Sequence, residues 1–195
     1  MSLTTEAELP TVAVMPALNS GLPPDIRVIA ADDERPGFHA RRQAWGKRYA
    51  YLIDNGAVAD PLRRRIAWHV AWPLDVTAMR LALAPLRGRH DFSAFCAAAG
   101  RHAAPECHLR SARVIRRKQQ IAVLLSADRF LHHMVRNIVG SVVTVGRRAR
   151  EPAWLAQVLA GRDRRRAGPT APAHGLVLVR VLYGARPRAG TPTTC

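Results

Sequence analysis

The run Phe130–Ser141, FLHHMVRNIVGS, constrains this chain more than any other stretch of it. Met134, Val135, Ile138, Val139 and Val142 recur at the spacing of a wide apolar stripe, which predicts a core helix. His132, Arg136 and Gly140 fall at i, i+4 and i+8, so a helix through all three puts them on one polar line. An arginine there needs a carboxylate or a phosphate, because an unpaired buried charge costs several kcal/mol. Gly140 costs about 1 kcal/mol against alanine in a helix and lets another backbone or a ligand come close. The competing reading is an ordinary amphipathic helix with a solvated Arg136.

Around this run the pattern is mixed. Val12 to Gly21 reads as the end of a helix stopped by Leu22-Pro23-Pro24. Ile26 to Ala30 reads as a short strand, and Asp32 to Gly37 as a turn. Phe38 to Ile53 reads as one long strand with a basic face. Asp75 is a candidate N-cap for a helix that ends by Gly88. Leu109–Arg117 and Gln120–Ala127 alternate as the arms of a hairpin. A second helix opens at Glu151-Pro152, a strand runs from Leu176 to Tyr183, and the tail from Gly184 reads as disordered. Strands and helices in this order, with a hairpin among them, give an α+β class.

The formal charge of +16 points to a polyanionic partner. Only Lys47 and Lys118 are lysines, so 28 of the 30 basic residues are arginine. Arginine's planar fork suits phosphates and stacks on bases, which favours RNA, although a GC-rich genome would raise the arginine share too. Three cysteines, Cys96, Cys107 and Cys195, form no paired framework, so a reduced cytoplasmic setting is expected. The longest apolar runs are strand-length, too short to span a bilayer. Cys96, His102, Cys107 and His108 cluster in sequence, but their spacing fits no standard zinc pattern, and no metal is expected.

The string FLHHMVRNIVG resembles a signature of the tRNA pseudouridine synthase A family. Four further segments agree with that family in order. They are Leu18-Asn19-Ser20 through Leu22-Pro23-Pro24-Asp25-Ile26, Phe38-His39-Ala40-Arg41 with Lys47-Arg48-Tyr49-Ala50-Tyr51, Gly88 to Phe95, and Asp163-Arg164 with Thr170 to Leu176. The likeness covers about residues 17–183. It implies a pseudouridine synthase fold, a mixed and mainly antiparallel sheet flanked by helices. It further implies uridine-to-pseudouridine isomerisation in the anticodon stem-loop of tRNA, by base flipping, with neither cofactor nor metal. A homodimer with tRNA lying across both subunits is also implied.

The family's catalytic aspartate sits in a GRTDxGVHA segment ahead of the Leu-Asn-Ser stretch. None of the nine aspartates here follows an Arg-Thr or precedes a Gly-Val-His. The expectation is therefore an N-terminally truncated member. Residues 1–37 would be a remnant of the N-terminal half, 38–183 the C-terminal catalytic-fold half, and 184–195 the tail. Such a chain is expected to expose a sheet edge and to aggregate or melt without cooperativity. The alternative is a catalytically inactive RNA-binding pseudoenzyme; an unrelated basic RNA-binding protein or a gene remnant are further readings.

The resemblance assigns roles residue by residue. Arg136 corresponds to the active-site arginine that pairs with the aspartate and takes the flipped nucleotide's place. Tyr49 corresponds to the tyrosine that stacks on the flipped uracil and helps remove its C5 proton, though a strand tyrosine is otherwise a packer. Leu176 corresponds to the apolar pocket floor, where chemistry alone would read a core leucine. His132 is a candidate RNA contact. Arg41, Arg42, Lys47 and Arg48, with Trp45 among them, form a candidate phosphate-tracking strand, and Arg162, Arg164, Arg165 and Arg166 a second basic run. Either run could equally be a solvated face.

Overall fold

The computed structural model describes residues 2, 4–5, 9–97 and 104–184, and the chain divides into two compact units, Met1–Ala44 and Trp45–Cys195. The expected disordered tail lies outside the described residues except for Gly184. In the first unit, α1 (Thr11–Gly21) stops at Leu22, just ahead of the two prolines. Ile26–Ala30 is not a strand. The Asn19 side chain takes the backbone groups a neighbouring strand would use: Val28 N–H donates to Asn19 Oδ1 and Asn19 Nδ2 donates to the Val28 carbonyl, both at 2.8 Å. The turn before Phe38 forms as expected, with Phe38 N–H donating to Arg35 O at 3.1 Å.

The long strand expected over 38–53 is shorter: β1 is Gly46–Asp54. Gln43 N–H turns back to His39 O and Gln43 Nε2 to Gly37 O, which curls residues 37–43 instead of extending them. Arg41 and Arg42 are therefore not part of the strand that carries Lys47 and Arg48, and belong to the first unit.

The second unit is built on β1. Along one side β1 pairs antiparallel with β5 (Gln120–Ala127), from Lys47↔Ala127 to Asp54↔Gln120. Along the other it pairs antiparallel with β6 (Leu176–Leu182) at its start and parallel with β2 (Trp68–His69) at its end. β5 continues to β4 (Glu106–Arg117) and then β3 (Gly88–Asp91), giving an open, mainly antiparallel sheet. The β4–β5 hairpin is the one the alternation predicts, and β5 buries every second residue.

Three helices flank this sheet. Asp75 caps α2 (Val76–Leu83), accepting from Ala78 N–H at 3.0 Å, and a 3₁₀ turn carries the chain on to Gly88, whose φ of +112° only glycine adopts readily. α3 (Met134–Gly146) packs on β1, α2 packs on β4 and α3, and α4 (Trp154–Gly161) packs on α2. The apolar stripe of the signature run is buried as predicted: Met134, Val135, Ile138, Val139 and Val142 all join one core with Tyr51, Ile53, Leu83, Phe95 and Leu125. The fold is α+β, with the sheet and flanking helices expected of the pseudouridine synthase fold.

Candidate active site

The chemistry-bearing residues come from β1, the start of α3 and the start of β6. Strand alternation puts Lys47, Tyr49 and Tyr51 on one face of β1 and Arg48 on the other, so Lys47 and Arg48 do not share a surface. Tyr49 lies across from Leu125 on β5 and Leu178 on β6. A bulge falls beside it, where Val179 of β6 is skipped between the pairs Arg48↔Arg180 and Tyr49↔Leu178. The Tyr49 ring meets Phe130 edge to face, centroids 5.1 Å apart. Burial holds its hydroxyl above the ordinary tyrosine range, so it stays protonated as a donor.

α3 begins at Met134, later than the signature run suggests. His133, at φ 61°, is a left-handed turn residue, and His132 precedes it, exposed. The polar line of His132, Arg136 and Gly140 is therefore broken: only the last two are helical. The two histidine rings stack at 3.9 Å, and partial burial, then the charges of His132 and Arg136, push His133 down from its ordinary pKa.

Arg136 is half-buried and finds backbone instead of the expected anion. Its Nε donates to Ala171 O at 2.7 Å, and its Nη1 lies 3.4 Å from His133 Nε2. Among the described residues no carboxylate lies within ion-pair distance of it. Tyr51, fully buried, lies close enough to feel its charge, and donates from Oη to Pro172 O at 2.7 Å. Leu176 opens β6 directly across from Tyr51 and packs against the core. Tyr51, Arg136 and Leu176 thus converge through the segment 171–176, two residues along the strand from Tyr49.

Gly140 has the close approach that its presence predicted. A Cβ there would collide with the Pro169 carbonyl oxygen. Sequence reasoning missed Tyr51, Asn137 and Thr170 as parts of this site. All three lie inside the quoted motifs, and Tyr51 shares a period of two with Tyr49, which was the available signal.

The second arginine run is mostly engaged within the protein. Arg162 pairs with Asp91 at 3.2 Å and Arg165 with Asp163 at 3.0 Å. Arg164 donates to Gly168 O, Asn137 Oδ1 and Thr170 Oγ1. Arg164 is thus taken up by the protein's own groups, whereas Arg162 and Arg165 form exposed ion pairs. Of the cysteine–histidine cluster, His102 lies outside the described residues; Cys96 and Cys107 are buried, and burial pushes the Cys107 thiol up. Among the described residues no group of His, Cys, Asp or Glu could hold a metal ion, and no helix is long and apolar enough to cross a membrane.

A family model for tRNA pseudouridine synthase matches residues 82–184. The chain belongs to that family. It is 46% identical over 187 residues to tRNA pseudouridine synthase A of Myxococcus xanthus, a match spanning 94% of this chain and 70% of that protein. Over 183 residues it is 45% identical to the Moorella thermoacetica synthase of the same name, spanning 94% and 74% of the two chains. The Thiobacillus denitrificans synthase A is 44% identical over 183 residues, 93% of this chain and 70% of its own length. The match to the tRNA pseudouridine synthase model contains β3 to β6, and with them Arg136 and Leu176; β1 and its tyrosines come before it.

Proposed function

We propose that this chain works as a tRNA pseudouridine synthase acting on the anticodon arm, with the target uridine turned out of the stem into the space bounded by Tyr49, Arg136 and Leu176. The convergence of Tyr51, Arg136 and Leu176 on the segment 171–176, with Tyr49 two residues along β1, is the observation that carries the reading. Isomerisation breaks the N1–C1′ bond, turns the uracil and forms the C5–C1′ bond. The C5 proton leaves and N1 regains one. Tyr49 offers a ring to stack on the base and a hydroxyl oxygen that takes the C5 proton as it passes its own proton on to solvent. Arg136 offers a planar guanidinium, fixed at Nε, for the space the flipped base vacates. Leu176 gives the pocket an apolar floor.

The carboxylate that the resemblance assigns to the ribose is not among the nine aspartates of this sequence. The share of the reaction proposed for these residues is therefore binding, turning and deprotonating the base. The phosphates fall to separate basic side chains, Lys47 on one face of β1 and Arg48 on the other, with Arg41 of the first unit and His132 as further contacts. A homodimer in a reducing cytoplasm is part of the same proposal. It rests on the family likeness and on the cysteine usage.

Incubation with an unmodified tRNA transcript tests this directly, by measuring pseudouridine formed and tRNA bound. Pseudouridine in the anticodon arm is the expected result for the protein carrying the aspartate segment, and binding of the anticodon arm is the expected result for these 195 residues alone. Tight binding with no product from the protein carrying that segment would instead support the inactive RNA-binding reading. Binding should weaken steeply with salt, and Arg48→Ala should lower the slope of log K against log salt by about 1.

A further inference from the structure

The segment Gly168–Pro172 lies antiparallel against α3 and is bonded to it residue by residue. Gly168 N–H donates to Ser141 Oγ at 2.9 Å. Pro169 O sits against Gly140, where only a glycine leaves room. Thr170 Oγ1 donates to Asn137 Oδ1 at 2.7 Å. Ala171 N–H donates to Arg136 O at 3.1 Å, while the Ala171 carbonyl receives Arg136 Nε at 2.7 Å. Pro172 O then receives Tyr51 Oη, and the chain runs through a 3₁₀ turn into Leu176. Both Arg136 and Leu176 are placed by this strap.

What holds the strap is a closed set of three side chains. Asn137 is 0% exposed and spends its amide donor on Phe95 O at 2.7 Å, which fixes its Oδ1 facing Thr170 and Arg164. Arg164 Nη2 donates to Asn137 Oδ1 at 3.1 Å and to Thr170 Oγ1 at 3.0 Å, and its Nη1 donates to Gly168 O at 2.9 Å. The two prongs of one guanidinium thus grip the first and third residues of the strap and the helix beneath it. A lysine carries its charge at a single nitrogen and lacks this fork. Burial also disfavours the charge on Arg164, the opposite of a solvated, phosphate-seeking arginine.

We propose that Arg164 is a positioning residue for the isomerisation: with Asn137 and Thr170 it locks the 168–172 strap onto α3 and so fixes Arg136 and Leu176 around the β1 tyrosines. This rests on the synthase reading above. Through the strap Arg164 acts on the turnover step, and its charge contributes little to holding RNA. A displacement of about 1 Å in the strap would be passed directly to the Arg136 guanidinium, and misplacement on that scale can reduce rate a hundredfold.

The test uses the protein carrying the aspartate segment and its variants Arg164→Lys, Thr170→Val and Thr170→Ser. Thr170 is exposed, so its substitutions leave the core intact. Two readouts are taken: kcat, KM and Kd with unmodified tRNA, and amide hydrogen exchange at Gly168 and Ala171 without RNA. The expected result is a fall in kcat of roughly tenfold to a hundredfold for Arg164→Lys and Thr170→Val, with Kd within about twofold. Thr170→Ser, which keeps the hydroxyl, should recover most of the loss. Exchange at Gly168 and Ala171 should quicken in the two damaging variants while the α3 interior stays protected. Wild-type kcat in Arg164→Lys, or a loss confined to KM and Kd, would overturn the positioning role in favour of an RNA contact. Unchanged exchange would overturn the strap lock itself. A wild-type protein that carries the aspartate segment and makes no pseudouridine would overturn the synthase reading and the positioning role with it, and exchange would still decide the lock.

Discussion

Tyr49 and Phe130 meet at right angles, ring planes at 87° and centroids 5.1 Å apart, so the turn leading into α3 is pinned to β1 through the proposed base-stacking ring. Phe130→Leu keeps most of the apolar volume and removes the edge-to-face contact. It should destabilise the fold by about 1 kcal/mol. Pseudouridine formation should fall by more than that loss explains, because the Tyr49 ring is freed to rotate. Thermal melts and kcat measured on the same preparation check both halves.

Gly140 offers a test of packing. A methyl group added there meets the Pro169 carbonyl, which is backbone and cannot swing aside. Gly140→Ala should gain helix propensity and still lose about 1–3 kcal/mol overall, because the strap must lift from α3. Denaturant unfolding measures the net sign. A more stable Gly140→Ala protein would show that the strap yields freely.

Tyr51 gives the fold an alkaline limit. Burial raises its hydroxyl above the ordinary tyrosine value of about 10, with the Arg136 charge opposing in part. Between the unfolded and folded values the unfolded chain surrenders a proton that the folded chain keeps. Stability is therefore full below pH ~10 and is lost as pH rises beyond it. Tyr51→Phe removes this contribution and should flatten the decline between pH 9 and 11. At neutral pH it should cost about 1 kcal/mol for the lost bond to Pro172 O. Urea melts across that range settle the sign.

β6 leaves apolar side chains in water, with Leu178 48% and Val179 59% exposed. A strand of this kind at a sheet edge invites pairing with another chain. Concentration-dependent light scattering is expected from the purified protein. Val179→Lys, placed at the bulge, should reduce it without a change in the far-ultraviolet circular dichroism.

Much of this was legible in the residues. The apolar stripe of α3, the alternation of β5, the cap at Asp75 and the stop before Pro23 each follow from local chemistry, and the structure has them where the sequence puts them. Arg136, Tyr49 and Leu176 were named through motif likeness, which chemistry alone would not have supplied. The misreadings share one cause. Ile26–Ala30 has strand composition but gives its backbone groups to Asn19, and the basic stretch before Gly46 curls through Gln43. Both outcomes depend on side chains reaching backbone several residues away, which no periodicity records. The run 162–166 looks uniform in sequence, and only its neighbours in space separate the Arg164 clamp from the arginines around it.

The strap's contacts run mostly through its own backbone groups, to α3 at Gly168, Pro169 and Ala171 and to Tyr51 of β1 at Pro172. Much of its message is thus carried by spacing and not by residue identity. Changing the side chain at Ala171 leaves both of its backbone bonds available, whereas adding or removing one residue between Arg164 and Leu176 would slip every contact by a place at once. Along this stretch length matters at every position, whereas identity matters where Arg164, Gly168 and Thr170 meet α3.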